Sequence, residues 1–115
     1  MINKDSIEKA LYNNLSDKEK EVYNILKENL YKEQTIEEIY DEGFDNGFEK
    51  KQNEEYAHSY AKGYVRGYVR GYIGVIIKVT FNCHRAGYSI EEITTFTGLT
   101  KEQITHIIET EKEES

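Results

Sequence analysis

The residues of this chain that could do covalent chemistry are few and scattered. His58, His84 and His106 lie far apart in the sequence, and the single cysteine, Cys83, has only one histidine beside it. A structural zinc site takes four Cys or His ligands at short, regular spacings, so these residues do not form one. One cysteine also excludes an intramolecular disulfide.

Two further patterns that resemble reactive motifs fit helices better. Glu49-Lys50-Lys51 has the spacing of the E-x-K element of metal-dependent nucleases, but it lies within a predicted helix, without the preceding strand and the acidic ligand that such a metal site needs. The glycines recur at helical spacing, which is not the pattern of a phosphate-binding loop. We therefore predict no catalytic residue, no bound metal and no cofactor.

Aromatic and small residues instead dominate the middle of the chain, where every fourth residue from 56 to 72 is a tyrosine. A period of four fits a helix and excludes a strand, whose faces alternate every two residues. Small residues at this spacing let helix backbones approach closely, and large side chains beside them fill the flanking grooves. The predicted interaction surface consists of Tyr56, Tyr60, Gly63, Tyr64, Gly67, Tyr68, Gly71, Tyr72 and Ile76.

The element that carries this surface is predicted to span residues 36–86, with acidic side chains in its first half and basic ones in its second. Two copies packed antiparallel would set acid against base, whereas parallel packing would stack like charges. We predict an antiparallel homodimer, or a hairpin folded near residues 50–53, where Gln52 interrupts the aromatic register. The predicted charge-pairing residues are Asp41, Glu42, Asp45, Glu49, Lys62, Arg66 and Arg70.

Helices are predicted on both sides of this element. Residues 1–35 carry two amphipathic helices, the first starting near Ser6 and the second opened by a capping box at Ser16. Another capping box, at Thr35, begins the long helix. The chain has no proline, and its glycines are mostly periodic. We predict an all-α fold with a long central glycine/tyrosine-rich helix, an N-terminal helical segment and a C-terminal helix-turn-helix-like pair, assembling as a helical dimer or bundle.

The C-terminal segment, residues 87–115, begins with a glycine that should stop the long helix. Capping boxes at Ser89 and Thr100 open two short helices around a turn at Gly98, which is helix-turn-helix geometry. The segment carries seven acids and two bases, a net charge of −5, whereas a recognition helix sits in a positive field. We predict a structural role. The residues that could still contact nucleic acid are Arg66, Arg70, Lys101 and Gln103.

Composition and charge limit the classes of function and the cellular location that we expect for this protein. The 115 residues carry a formal charge of −7, which argues against a protein that wraps nucleic acid through many phosphate contacts. No apolar run approaches the roughly 20 residues of a membrane span. The N-terminus has no apolar signal core, so we expect a cytoplasmic protein.

The second half of the chain resembles a known family. The glycine-rich helix whose residues repeat every four positions is followed by Arg85-Ala-Gly-Tyr-Ser-Ile-Glu-Glu-Ile-Thr-Thr-Phe-Thr-Gly-Leu-Thr-Lys-Glu-Gln-Ile. This combination, over about residues 41–109, is similar to the C-terminal tail of the recombination-promoting nuclease (Rpn) family, also known as PD-(D/E)XK nuclease-family transposases. We find no counterpart of that family's nuclease domain in these 115 residues. The resemblance therefore implies a free-standing tail, an oligomerisation module that acts as an antitoxin-like partner of a full nuclease.

Three functions follow as hypotheses. The first is a non-catalytic regulator that pairs with a related nuclease tail or another helical partner. The second is an acidic inhibitor of a host defence nuclease, of the anti-CRISPR type and carried by a mobile element. The charge of −7 permits this function but does not indicate it. The third is a nucleic-acid-binding regulator that uses the helix-turn-helix or the tyrosine and arginine side chains of the long helix.

Overall fold

The computed structural model describes residues 3–113, and all the regular structure in that range is helical. This confirms the all-α prediction with a long central helix. Residues 1–2 and 114–115, which belong to the predicted terminal segments, lie outside the described residues. The helices are α1 (Lys4–Asn13), α2 (Asp17–Leu30), α3 (Ile36–Lys51), α4 (Glu54–Arg85), α5 (Ile90–Thr97) and α6 (Lys101–Glu113).

Local capping signals determine where most of these helices begin. The predicted capping boxes are present at Ser16, Thr35, Ser89 and Thr100, each with the cap residue and the third helical residue bonded reciprocally. The start of α1 differs from the prediction. Asn3 caps this helix by accepting a hydrogen bond of 2.9 Å from the Ser6 amide, so Ser6 lies inside the first turn.

Residues 36–86 form two helices rather than one continuous helix. At the end of α3, Gln52 adopts a left-handed conformation with φ of 49°, and Asn53 then caps α4 by accepting a hydrogen bond of 2.9 Å from the Tyr56 amide. The chain therefore turns back on itself. The hairpin near residues 50–53 is the arrangement observed, and the single helix over 36–86 is corrected to α3 and α4.

Two glycines of α3 allow the hairpin to close tightly. A methyl group placed on Gly43 would lie 2.7 Å from Cβ of Tyr64, and one on Gly47 would lie 2.7 Å from Cβ of Tyr60. Contacts this short do not occur between real Cβ atoms, so only glycine fits at either position. The backbones of α3 and α4 consequently approach each other more closely than side chains would otherwise permit.

One register of α4, every fourth residue from 57 to 73, is buried in the core. The other helices pack around the hairpin, with α1 against α3 and α4, α2 against α4, and α6 against both α2 and α4. Since every buried residue of the register is apolar, the hydrophobic effect holds the hairpin to the remaining helices. The register consists of Ala57, Ala61, Val65, Val69 and Ile73, each at most 1% exposed.

Candidate helix-binding surface

The outward side of α4 is lined by glycines. Gly63 follows the buried Ala61 by two positions, which is about 200° around a helix and therefore nearly opposite the core. Among the described residues, a methyl group placed on any glycine of this side would have no atom within 4 Å other than the adjoining backbone of α4 itself. We call this surface the outer glycine face, and it consists of Gly63, Gly67, Gly71 and Gly74.

Glycines in these positions are costly for the isolated protein. Each lowers helix stability by about 1 kcal/mol relative to alanine, so four cost on the order of 4 kcal/mol against a typical total stability of 5–15 kcal/mol. At Gly43 and Gly47 the same cost is offset by the close contact between α3 and α4. The outer glycine face has the composition of such a contact, yet it makes none with the described residues of this chain.

Tyrosines border this face on the side of α3. Tyr64 and Tyr72 are half-buried, while Tyr68 is 42% exposed. Interaction with the Glu42 carboxylate is the main cause that raises the pKa of Tyr64, and burial raises the pKa of Tyr72. Both groups are therefore neutral phenols at physiological pH. The tyrosine register thus belongs partly to the hairpin and partly to the surface.

Basic side chains border the opposite side of the face. Lys62 is exposed, and the half-buried Arg66 lies beside α1. The guanidinium of Arg70 forms an ion pair of 3.0 Å with the Glu19 carboxylate of α2. Glu42, one of the predicted acidic partners, accepts a hydrogen bond of 3.1 Å from Gln34.

The predicted pairing between acidic and basic residues is not made inside the described part of the chain. No ion pair joins the acidic residues of α3 to the basic residues of α4 there. Because the hairpin already sets α3 antiparallel to α4, charge segregation alone does not require an antiparallel dimer. Pairing with a second copy stays a prediction.

Ile76 was predicted to share a surface with the tyrosines because it follows Tyr72 by four residues. It does not lie on that surface. It is 7% exposed and belongs to the protein's own core. An α-helix has 3.6 residues per turn, so a register of every fourth residue rotates by about 40° at each step. Over the five steps from Tyr56 to Ile76 the direction changes by about 200°, which carries the register from one side of α4 into the core.

Two residues predicted for nucleic-acid contact are engaged within the protein. The Gln103 side-chain amide donates hydrogen bonds to the Ile25 carbonyl, at 3.1 Å, and to the Asn29 side chain, at 2.8 Å. The Lys101 ammonium forms an ion pair of 2.6 Å with Glu91. The first contact fixes α6 against α2, and the second joins the two helices of the helix-turn-helix-like pair.

The residues considered first for chemistry remain separate. Within residues 3–111, no group of three or more His, Cys, Asp or Glu side chains is arranged to hold a metal ion. His58 shares a hydrogen bond of 2.7 Å with the Tyr40 hydroxyl, and Cys83 is half-buried. In the same part of the chain, no helix is long and apolar enough to cross a membrane.

Sequence reasoning missed the close helix contact that does form. Glycine-mediated approach between copies was predicted at Gly63, Gly67 and Gly71 and stays a prediction, whereas the approach observed inside the chain uses Gly43 and Gly47. A signal was present, because the glycines at 43 and 47 are matched across the turn by alanines at 57 and 61, the same spacing of small residues on the facing helix.

Comparison with known proteins found no matching family model, no matching curated protein and no matching solved structure.

Proposed function

We propose that this protein is a non-catalytic helical interaction protein whose outer glycine face binds a helix of a second protein molecule. The observation that carries this proposal is the set of four glycines opposite the core of α4, none of which has a neighbour within 4 Å of an added methyl group. Such a surface lowers the stability of the monomer. Close packing against another helix would offset that loss.

The shape of the face fits a helix. From Gly63 to Gly74 the helix rises by about 16 Å, or three turns, which is long enough for a crossing helix to contact several of the glycines. Tyr68 and the 60%-exposed Val75 provide apolar area beside them. The hairpin supplies a precedent within the same fold, since Gly43 packs there against Cβ of Tyr64.

A second copy of the chain is the partner that we favour. A two-fold dimer requires one surface that is complementary to itself. The outer glycine face together with its bordering tyrosines, of which Tyr68 is the most exposed, supports such an arrangement, because small and large side chains lie side by side on one surface. In such a dimer the tyrosines of each copy would pack on the glycines of the other.

The resemblance to Rpn tails suggests the biological setting. A free-standing copy of a tail that pairs with itself would also pair with the same tail on a full nuclease, and would compete with the nuclease's own assembly. We therefore infer a small antitoxin-like regulator in the cytoplasm, with no catalytic activity of its own. Purification from the host with native mass determination would identify such a partner.

Sedimentation equilibrium at low and high salt tests the proposal. The chain has a mass of 13.5 kDa, and we expect a species of twice that mass whose dissociation constant changes little with salt, because the contact is apolar. A monomer at all micromolar concentrations would contradict the proposal. The inhibitor hypothesis predicts instead a complex with a basic effector that weakens steeply as salt rises.

A further inference from the structure

A second surface lies at the closed end of the hairpin, away from the outer glycine face. Here α3 and the first turn of α4 line a pocket that is open to solvent. Its volume is about 430 Å³, which is within the usual range for ligand sites. We call it the hairpin pocket. It is lined by Phe44, Asp45, Phe48, Glu49 and Glu54.

Phe44 and Phe48 form one wall of the hairpin pocket. Their rings are nearly parallel, with centroids 6.2 Å apart and planes inclined by 14°. Behind them the His58 ring lies 4.8 Å from Phe44, and a hydrogen bond to Tyr40 holds that histidine in place. Phe48 is the outer ring and is 39% exposed. The wall is thus supported from the protein side and accessible from solvent.

The charges around this wall have one sign. Asp45, Glu49 and Glu54 are exposed, and none of them forms an ion pair within the described residues. The nearby lysines point elsewhere, since Lys50 lies over the Tyr60 ring, at 5.3 Å, and Lys51 over the Tyr56 ring, at 5.2 Å. Three carboxylates therefore face the pocket without a neutralising cation.

Several other aromatic rings of this protein carry a cation. Lys20 lies over Tyr12, and both Lys18 and Arg85 lie over Phe81. Within residues 3–111, by contrast, no lysine or arginine lies over Phe44 or Phe48. The hairpin pocket thus combines an exposed aromatic ring with unpaired carboxylates, and both groups attract cations.

We propose that the hairpin pocket binds an arginine side chain from a basic segment of a partner protein. The planar guanidinium stacks on the outer Phe48 ring, and its N–H groups donate to the carboxylates of Asp45 and Glu49. Arginine fits better than lysine because a planar cation contacts the flat ring and two carboxylates at once. This site is separate from the outer glycine face and does not depend on dimerisation.

Fluorescence polarisation with a labelled hexapeptide containing two arginines separated by glycines tests this proposal at low salt. We expect saturable binding that is lost when citrulline replaces both arginines. Phe48→Ala should weaken binding threefold or more, at about the strength of one cation–π contact. Glu49→Gln should weaken it by roughly twofold to fivefold.

Matched variants separate this site from general effects. Phe96→Ala removes another exposed phenylalanine, 55% exposed on α5, and Glu28→Gln removes one negative charge from α2; both should bind the peptide as the wild type does. A Gly67→Leu protein should also bind normally, even if it no longer dimerises. Absence of peptide binding, or equal losses in Phe48→Ala and Phe96→Ala, would overturn the proposal.

Discussion

Glycines with the same local sequence pattern have opposite energetic roles in this protein. Gly43 and Gly67 both lie mid-helix, with an aromatic residue following each. A methyl group at Gly43 would meet Cβ of Tyr64 at 2.7 Å and the backbone of Ala61 at 3.1 Å, whereas one at Gly67 would meet nothing within 4 Å. The surroundings rather than the residue type therefore determine the effect of substitution.

Alanine substitution should reveal this contrast. We expect Gly43→Ala to lower the free energy of unfolding by about 1–3 kcal/mol through overpacking. Gly67→Ala should raise it by up to about 1 kcal/mol through better helix propensity. Urea unfolding followed by circular dichroism at low protein concentration measures both. Changes of the same sign would show that the two glycines are not in different environments.

Acid should weaken the cap of α2. The amide of Ser16 donates a hydrogen bond of 2.8 Å to Glu19, and this bond, aided by Arg70, lowers the pKa of Glu19 below its ordinary value of 4.5. A carboxyl whose pKa is lower in the folded state stabilises the fold fully above the unfolded pKa and loses that contribution as the pH falls through the folded pKa. Stability should therefore decline below about pH 4.5.

The variant Glu19→Gln isolates this contribution, because glutamine keeps a cap acceptor but carries no charge. We expect its unfolding free energy to be lower than that of the wild type at pH 7 and to converge with it toward pH 3. Unfolding curves across that range measure the difference. A constant difference between the two proteins would show that the charge of Glu19 is irrelevant.

At the scale of elements, the turn of the hairpin is under local strain. Gln52 has a φ of 49°, a region that glycine enters more easily than any other residue. Gln52→Gly should raise the free energy of unfolding by up to about 1 kcal/mol. Lys62→Gly, in the middle of α4, should lower it by a similar amount. If Gln52→Gly also destabilised the protein, the strain at Gln52 would be smaller than the entropy cost of ordering a glycine there.

Element boundaries were predictable where local chemistry decides them. The capping boxes at Ser16, Thr35 and Ser89 each use a side chain and a backbone within four residues, so the sequence predicts them directly. Gly87, with φ of 93°, also ends α4 as expected. The break at Gln52 was predictable only as one of two options, because tertiary packing of α3 on α4 decides whether the chain turns there.

At the scale of the whole molecule, the sequence predicts a packing surface but not which way its parts face. The period of four predicts the tyrosines and glycines of α4 as contact residues, and for contacts with a second molecule this stays a prediction. That period alone does not separate Gly43 and Gly47, which serve contacts inside the chain, from the exterior outer glycine face; only the alanines at 57 and 61 across the turn point to the inner contact. The hairpin pocket was equally hidden, since Phe44 and Glu54 meet only after the chain reverses.

The central claim is that the outer glycine face mediates assembly. Gly67→Leu places a large side chain where nothing lies within 4 Å, so the folded monomer should persist while close helix approach becomes impossible. Glu28→Leu is the matched control, because it adds the same side chain to an exposed position of α2.

Sedimentation equilibrium of these variants beside the wild type tests the claim most directly. We predict that the wild type and Glu28→Leu sediment as dimers, whereas Gly67→Leu sediments as a monomer of 13.5 kDa with unchanged helicity. A Gly67→Leu protein that dimerises as tightly as the wild type would contradict the claim.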